Sequence, residues 1–310
     1  MKIVIAGGTG FIGREVCRVL IDEGHSVIIL TRHAGKYSAS ASPTSHFVQW
    51  DGVTQGAWVQ ECDGADVVIN LSGAPIADSR WTDKRKQELI DSRVQPTQAL
   101  LQAIPSLNNK PHTFISASGV GFYGARGEEE LNESSTPGKG FLSDLCQVWE
   151  NTAMEAEALG LRVIPIRFGM VLGPEGGALS KMSLPFRLFL GGPVLPGTQY
   201  VSWIHRNDLA RLILFVITRS TLIGPINGVA PETVTMREFC TTLGQSMNRP
   251  SWFPVPKFLL EIALGELATM LTTGQRVHPT KALKSGFSYS YPILQEALHS
   301  IFCKPLSRAT

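Results

Sequence analysis

A surplus of charge of either sign is what this chain lacks. Across 310 residues, 28 Lys and Arg stand against 26 Asp and Glu, a net charge of +2. Proteins that grip nucleic acid or an anionic membrane surface usually carry a concentrated basic patch, so neither partner is expected. The densest mixed run, Asp83-Lys84-Arg85-Lys86-Gln87-Glu88, reads as a solvated helix face. Cysteine is sparse: Cys17, Cys62, Cys146, Cys240 and Cys303 form no CxxC pair. That argues against a disulfide framework or structural zinc and fits a reducing compartment. The seven histidines lack HxxxH spacing, and no metal site is expected. No apolar run approaches the length of a membrane span. Lys2-Ile3-Val4-Ile5-Ala6 is too short for the apolar region of a signal peptide, and glycines follow at once. A soluble, cytoplasmic protein is the expectation. A small molecule is its expected partner, and a homodimer is the commonest closed assembly.

What is present is an alternation of short β-branched runs with helical stretches. Ile3–Ala6 is apolar at every position, as a strand buried on both faces should be. Ile12, Val16, Val19 and Leu20 then repeat at helical spacing, and Gly24 stops the helix. Further strands are predicted at Ser26–Leu30, Phe47–Trp50, Asp66–Leu71, Thr113–Ser116 and Arg162–Ile166. Helices are predicted at Asp83–Ile104 and about Asp144–Leu159, and Gly35–Ser45 reads as a mobile loop. The pattern implies an α/β fold with a doubly wound parallel sheet. After Gly173 the texture changes. Val201–Ile217 looks like a strand end and a helix returning to the sheet, and the chain from Pro231 is helical and Pro-punctuated. The expected division is a dinucleotide-binding unit over 1–173, with 201–228 returning to it. A smaller, mainly helical substrate lobe takes 174–200 and 229–310.

The strongest local signal is Gly7-Gly8-Thr9-Gly10-Phe11-Ile12-Gly13, between the first strand and the first helix. Gly7 permits the tight turn, Gly10 lets the backbone approach a pyrophosphate, and Gly13 allows close helix–sheet packing. The free N–H groups of the helix start face the phosphate charge. The context of strand, turn and amphipathic helix is what the motif requires. Gly7, Thr9, Gly10, Phe11, Ile12 and Gly13 are therefore candidate cofactor contacts. At the end of the second strand the chain reads Leu30-Thr31-Arg32-His33, with no acid for ribose hydroxyls. Thr31 and Arg32 become cofactor candidates, because a guanidinium pairs with the 2′-phosphate of NADP. The implied cofactor is NADP(H).

These segments, with Asn70–Gly73, Arg80-Trp81-Thr82, Arg167–Gly173, Leu184–Arg187 and Trp203–Asp208, resemble the atypical and extended short-chain dehydrogenase/reductases. The likeness is to their NAD-dependent epimerase/dehydratase-like "epimerase family" group. It implies a Rossmann-type fold and further cofactor contacts. Leu71, Ser72 and Gly73 would pass beneath the adenosine side. Arg93 would lie near the nicotinamide, with Glu88 orienting it. Val171 would meet the nicotinamide amide. The resemblance also exposes a gap: no YxxxK occurs, and Leu142 and Cys146 fill the Tyr and Lys positions when aligned on Glu150. Ser118 and Tyr123 are the remaining catalytic candidates, Ser118 as a donor to a substrate carbonyl. Arg187 is a candidate for an anionic substrate group. His205 and Asp208 are assigned to stabilising the returning helix. The implied activity is that of an oxidoreductase or epimerase on a carbonyl/alcohol or nucleotide-sugar-like substrate. A non-catalytic NADP-binding sensor or partner-binding protein is the alternative.

Overall fold

The computed structural model describes residues 1–40 and 42–303. Ala41, within the predicted loop, and 304–310, within the predicted lobe, lie outside the described residues. Seven strands form one parallel sheet: β1 (Lys2–Ala6), β2 (Ser26–Thr31), β3 (Ser45–Gln49), β4 (Val67–Asn70), β5 (Thr113–Gly119), β6 (Arg162–Phe168) and β7 (Ile226–Gly228). Their order is β7-β6-β5-β4-β1-β2-β3. The order reverses between β1 and β4, and in such sheets ligands bind at the carboxyl edge beside that reversal.

The apolar runs become strands because helices cover both faces. Ile3, Val4, Ile5 and Ala6 are all fully buried. One face packs against α1 (Phe11–Asp22) and α5 (Arg206–Thr218) through Val16, Leu20, Leu209 and Ile213. The other packs beneath α2 (Asp83–Ala103) and the short helix Trp58–Cys62. Gly24 follows the α1 C-cap at φ +79°, the left-handed position that glycine fills without strain.

The predicted mobile loop is corrected in part. Ala34–Ser40 forms 3₁₀ turns, and the Tyr37 ring stacks on Phe47 of β3 at 5.1 Å. The small residues of this segment hide that ordering, because a single aromatic anchors it.

A separate apolar cluster lies outside the sheet layers. It joins α4 (Gly177–Arg187), α6 (Met236–Met247) and α8 (Leu294–Phe302) through Leu179, Phe186, Phe239, Leu243 and Leu298. Between α6 and α8 lies α7 (Lys257–Leu264). The stretch Arg80–Thr82 ties the two parts together. Arg80 donates to the carbonyls of Ala263 and Ile262, capping the C-terminus of α7. Trp81 packs edge-on to Phe141 at 5.0 Å, and the Thr82 hydroxyl caps α2.

Candidate cofactor and active site

The glycine turn is shaped by contacts that leave no room for side chains. Gly7 has φ +79°, and a Cβ there would lie 2.8 Å from the Leu71 carbonyl carbon at the end of β4. A Cβ on Gly13 would lie 2.2 Å from the Gly7 carbonyl oxygen. The Gly10 N–H donates to that same oxygen at 3.0 Å. Gly10 is the N-cap of α1, with no side-chain cap and no acid in the first turn. The leading N–H groups, which an α-helix leaves without internal acceptors, are thus free for an anion. Thr9 is half-buried, and its carbonyl accepts from Arg14 at 3.1 Å. Ile12 packs against the core cluster beneath the sheet.

Phe11 faces a second glycine set that sequence reading missed. Cβ atoms on Gly173, Gly176 and Gly177 would lie 3.1, 2.6 and 3.0 Å from its ring, and the Arg206 guanidinium lies 4.9 Å from the ring centre. The 173–177 loop therefore forms a wall beside the α1 N-terminus. Val171, paired with Ile204 in the small parallel ladder before that loop, is buried at its base.

At the carboxyl end of β2, Thr31 is buried and Arg32 is exposed. The Gln49 side chain on β3 clamps the turn between them, donating to the Arg32 carbonyl at 2.6 Å and accepting from Ala34 N–H at 3.0 Å. Among the described residues the Arg32 guanidinium has no acidic partner within 4.0 Å. Gln49 lies 17 positions away along the chain, beyond any local pattern.

At the end of β4 the Ser72 N–H donates to Asn70 Oδ1 at 3.0 Å, and Asn70 is held by Thr97 on α2. Gly73 lies over Arg93: a Cβ there would sit 3.2 Å from Cζ. Arg93 is buried, donates to the carbonyls of Leu89 and Ala74, and lies over the Trp149 ring at 5.1 Å. Burial pushes its pKa down to about 10. The assignment of Glu88 as its orienting partner is corrected. Glu88 is exposed and pairs with Arg85 at 3.2 Å. Five residues along a helix amount to an offset of about 140° around its axis, which points the two side chains apart.

The region of the missing Tyr and Lys holds a buried polar network. Ser118, at the end of β5, donates to Glu150 Oε1 at 2.6 Å. Glu150, on α3 (Phe141–Met154), takes two further bonds from Arg167, both 2.8 Å. Arg167 donates to the Tyr123 hydroxyl at 2.9 Å, and Tyr123 donates to Asn227 Oδ1 at 2.7 Å. One hydroxyl proton serves one acceptor. The expectation that Ser118 donates to a substrate carbonyl therefore does not fit this arrangement, in which it can only accept. Tyr123 is fully buried, and burial pushes its pKa up despite Arg167. Cys146, at the Lys position, is buried with its thiol pushed up to about 11 by desolvation and then by Glu150. Arg187 is exposed in the last turn of α4. Ten residues separate it from Gly177, about 15 Å along the helix, so it stands apart from the glycine turn.

The profile described as "NAD dependent epimerase/dehydratase family" matches residues 3–227. The chain belongs to that family. A second profile, "Domain of unknown function (DUF1731)", covers 255–301. Epimerase family protein YfhF of Bacillus subtilis is 40% identical over 97% of this chain and 98% of its own. The crystal structure of human epimerase family protein SDR39U1 (isoform 2) with NADPH superposes with a TM-score of 0.84 at 32% identity, covering 98% of this chain and all of that one. A nucleoside-diphosphate sugar epimerase of Corynebacterium glutamicum superposes at 0.79 with 30% identity, over 99% of this chain and 59% of its own. The family supplies a place for a nicotinamide dinucleotide, and this chain's residues fit one. Added Cβ atoms would fill the cradle at Gly7 and Gly13, the α1 N-terminus has no side-chain cap, and at the end of β2 the exposed Arg32 has no acidic partner among the described residues.

Proposed function

We propose that this chain binds NADPH across the Gly7–Gly13 turn and acts as an oxidoreductase or epimerase on a carbonyl/alcohol or nucleotide-sugar-like substrate. Arg32 carries the reading. It is an exposed cation with no carboxylate partner among the described residues, on a turn fixed by Gln49, at the strand end where an acid would select NAD. Gly10, Phe11, Ile12 and Gly13 would hold the pyrophosphate on the α1 N-terminus. Leu71, Ser72 and Gly73 would support the adenosine side, and Arg93 and Val171 the nicotinamide side. When bound, the reduced nicotinamide supplies hydride; the protein orients it and excludes water. The proton is the harder part. Ser118 offers only its lone pairs, a geometry suited to holding a substrate hydroxyl rather than a carbonyl. The unpaired thiols support the expected cytoplasmic setting.

The buried Tyr123 hydroxyl and the raised Cys146 thiol favour a second reading, a protein that holds NADPH without turning it over. One experiment addresses both. Titrate the purified protein with NADPH and NADH by fluorescence, then follow NADPH oxidation across carbonyl and nucleotide-sugar substrates. Tight, NADPH-selective binding with substrate-dependent oxidation supports the enzyme. Selective binding without turnover supports the second reading. Absence of NADPH binding overturns both.

A further inference from the structure

Phe141, Leu142, Leu145 and Cys146 recur one helical turn apart and give α3 an apolar face. That face meets the carboxyl end of β5. A Cβ on Gly119 would lie 3.7 Å from Cys146 Sγ, and one on Gly121 would lie 3.0 Å from Leu142 Cβ. In a sheet of this order a dinucleotide lies across the reversal between β1 and β4. With the adenosine over β2, the nicotinamide reaches over the ends of β4 and β5, beside this face.

The 74–82 segment after β4 and the C-terminal lobe extend the apolar ground. Trp81, Leu89, Leu145 and Leu267 form one buried cluster, and Ile76, Phe141, Leu142 and Leu264 pack against it half-buried. Hydrocarbon is all that these four side chains offer a ligand. The cations around them are engaged elsewhere. Arg80 holds the carbonyls of Ala263 and Ile262, and Arg85 holds the Pro75 carbonyl and Glu88. Lys86 pairs with Glu266 at 2.5 Å, and Lys181 with Asp78 at 2.7 Å. A diphosphate is held by cations free to form charge-assisted bonds, and these four are taken.

Two donors close by are free. Arg93 and Trp149 are 5% and 6% exposed, with the guanidinium 5.1 Å from the centre of the indole ring. Arg93 Nε and Trp149 Nε1 have no hydrogen-bond partner among the described residues. Buried donors are nearly always paired, so an acceptor is wanting here. Arg93 lies against Gly73, at the β4 end that the nicotinamide overhangs.

We infer, on the NADPH reading above, that the substrate of this site is a ketone or aldehyde with an apolar body and not a nucleotide sugar. The body rests on Ile76, Phe141, Leu142 and Leu264, and the oxygen accepts from Arg93. An apolar wall with a few placed donors is the usual make-up of a small-molecule site.

The test loads the full chain with NADPH and titrates it with benzylacetone, benzaldehyde and UDP-glucose, by quenching of the bound NADPH fluorescence and by calorimetry. At least one of the two apolar carbonyl compounds should saturate with a Kd below about 1 mM, and UDP-glucose should bind at least about tenfold more weakly. Ile76→Asn and Leu142→Asn place an amide on the apolar ground. Each should weaken the carbonyl compound about tenfold while NADPH affinity stays within about twofold, with the melting temperature reporting the fold. UDP-glucose binding as tightly as the carbonyl compounds, no saturation by either of them on NADPH-loaded protein, or folded variants that leave their affinity unchanged would each overturn the inference and leave the cofactor reading standing. A protein that takes up no NADPH overturns both.

Discussion

The Ser118 hydroxyl donates to the Glu150 carboxylate across 2.6 Å, where 3% of Ser118 and 7% of Glu150 are exposed. The same carboxylate holds Arg167, and Arg167 holds Tyr123. The pair thus stands at one end of a charged chain running through β5, β6 and α3. Glu150→Gln would leave a buried guanidinium without its countercharge, a loss of about 3–5 kcal/mol. Ser118→Ala removes one bond to a charged group, about 1.5–3 kcal/mol. Urea unfolding measures both. If Ser118→Ala instead leaves stability untouched and abolishes turnover, the hydroxyl serves the substrate and not the network.

Arg32 and Gln49 should act as one unit in choosing the cofactor. Arg32→Ala is expected to weaken NADPH binding ten- to a hundredfold, the size of about one to two charge-assisted bonds, and NADH binding little. Gln49→Leu should weaken NADPH in the same direction by freeing the Arg32–Ala34 turn, and the two losses should not add. Fluorescence titration of the single and double variants checks this. Equal losses for NADPH and NADH would remove Arg32 from the 2′-phosphate.

Gly13→Ala places a methyl 2.2 Å from the Gly7 carbonyl oxygen, closer than any carbon approaches an oxygen. Backbone on one side and helix on the other leave nowhere to retreat. The variant should melt several degrees lower, a shift of about 2–4 °C per kcal/mol for chains approaching this size. It should also lose NADPH binding. Gly24→Ala is the control. It has nothing within 4 Å but a positive φ, so it should cost stability and leave binding intact.

His205 should make the fold acid-sensitive. Its Nδ1 accepts from the Asn207 N–H at the start of α5, which requires that nitrogen to be unprotonated. Burial pushes its pKa down to about 4 from an ordinary 6.5. The folded state therefore binds this proton less readily than the unfolded chain. The contribution is complete above about pH 6.5 and is lost as pH falls towards 4, amounting to a few kcal/mol. His205→Asn keeps a good N-cap and removes the titration. Its melting temperature should fall less than that of wild type between pH 7 and 5.

Legibility followed the range of the interactions. β1, β2 and β4 could be read because a strand buried on both faces is apolar at nearly every position, while in β5 only Phe114, Ile115 and Ala117 carry that signal among Thr113, Ser116 and Ser118. β7 could not, since Ile226-Asn227-Gly228 is short and owes its place to pairing with β6. The cradle glycines stood out as a local motif, but the Phe11 wall joins residues more than 160 positions apart, and Gln49 reaches Arg32 only through the sheet. Glu88 is a different kind of miss, because helix geometry alone separates it from Arg93. The engagement of Ser118 with Glu150 depends on how α3 lies against β5, which no spacing records.

The Phe11 ring, fitted among Gly173, Gly176 and Gly177, has a consequence for how the protein is made. A ribosome that has released only the first 170 residues has exposed the whole glycine turn without its facing wall. α5, which packs on α1, and β7, which completes the sheet edge, emerge later still. Contacts of such long sequence separation form slowly, and the unfinished half shows apolar surface to the cell meanwhile. Nucleotide capture therefore belongs to the finished polypeptide, and an N-terminal fragment cut before Gly173 should neither hold the dinucleotide nor stay in solution for long.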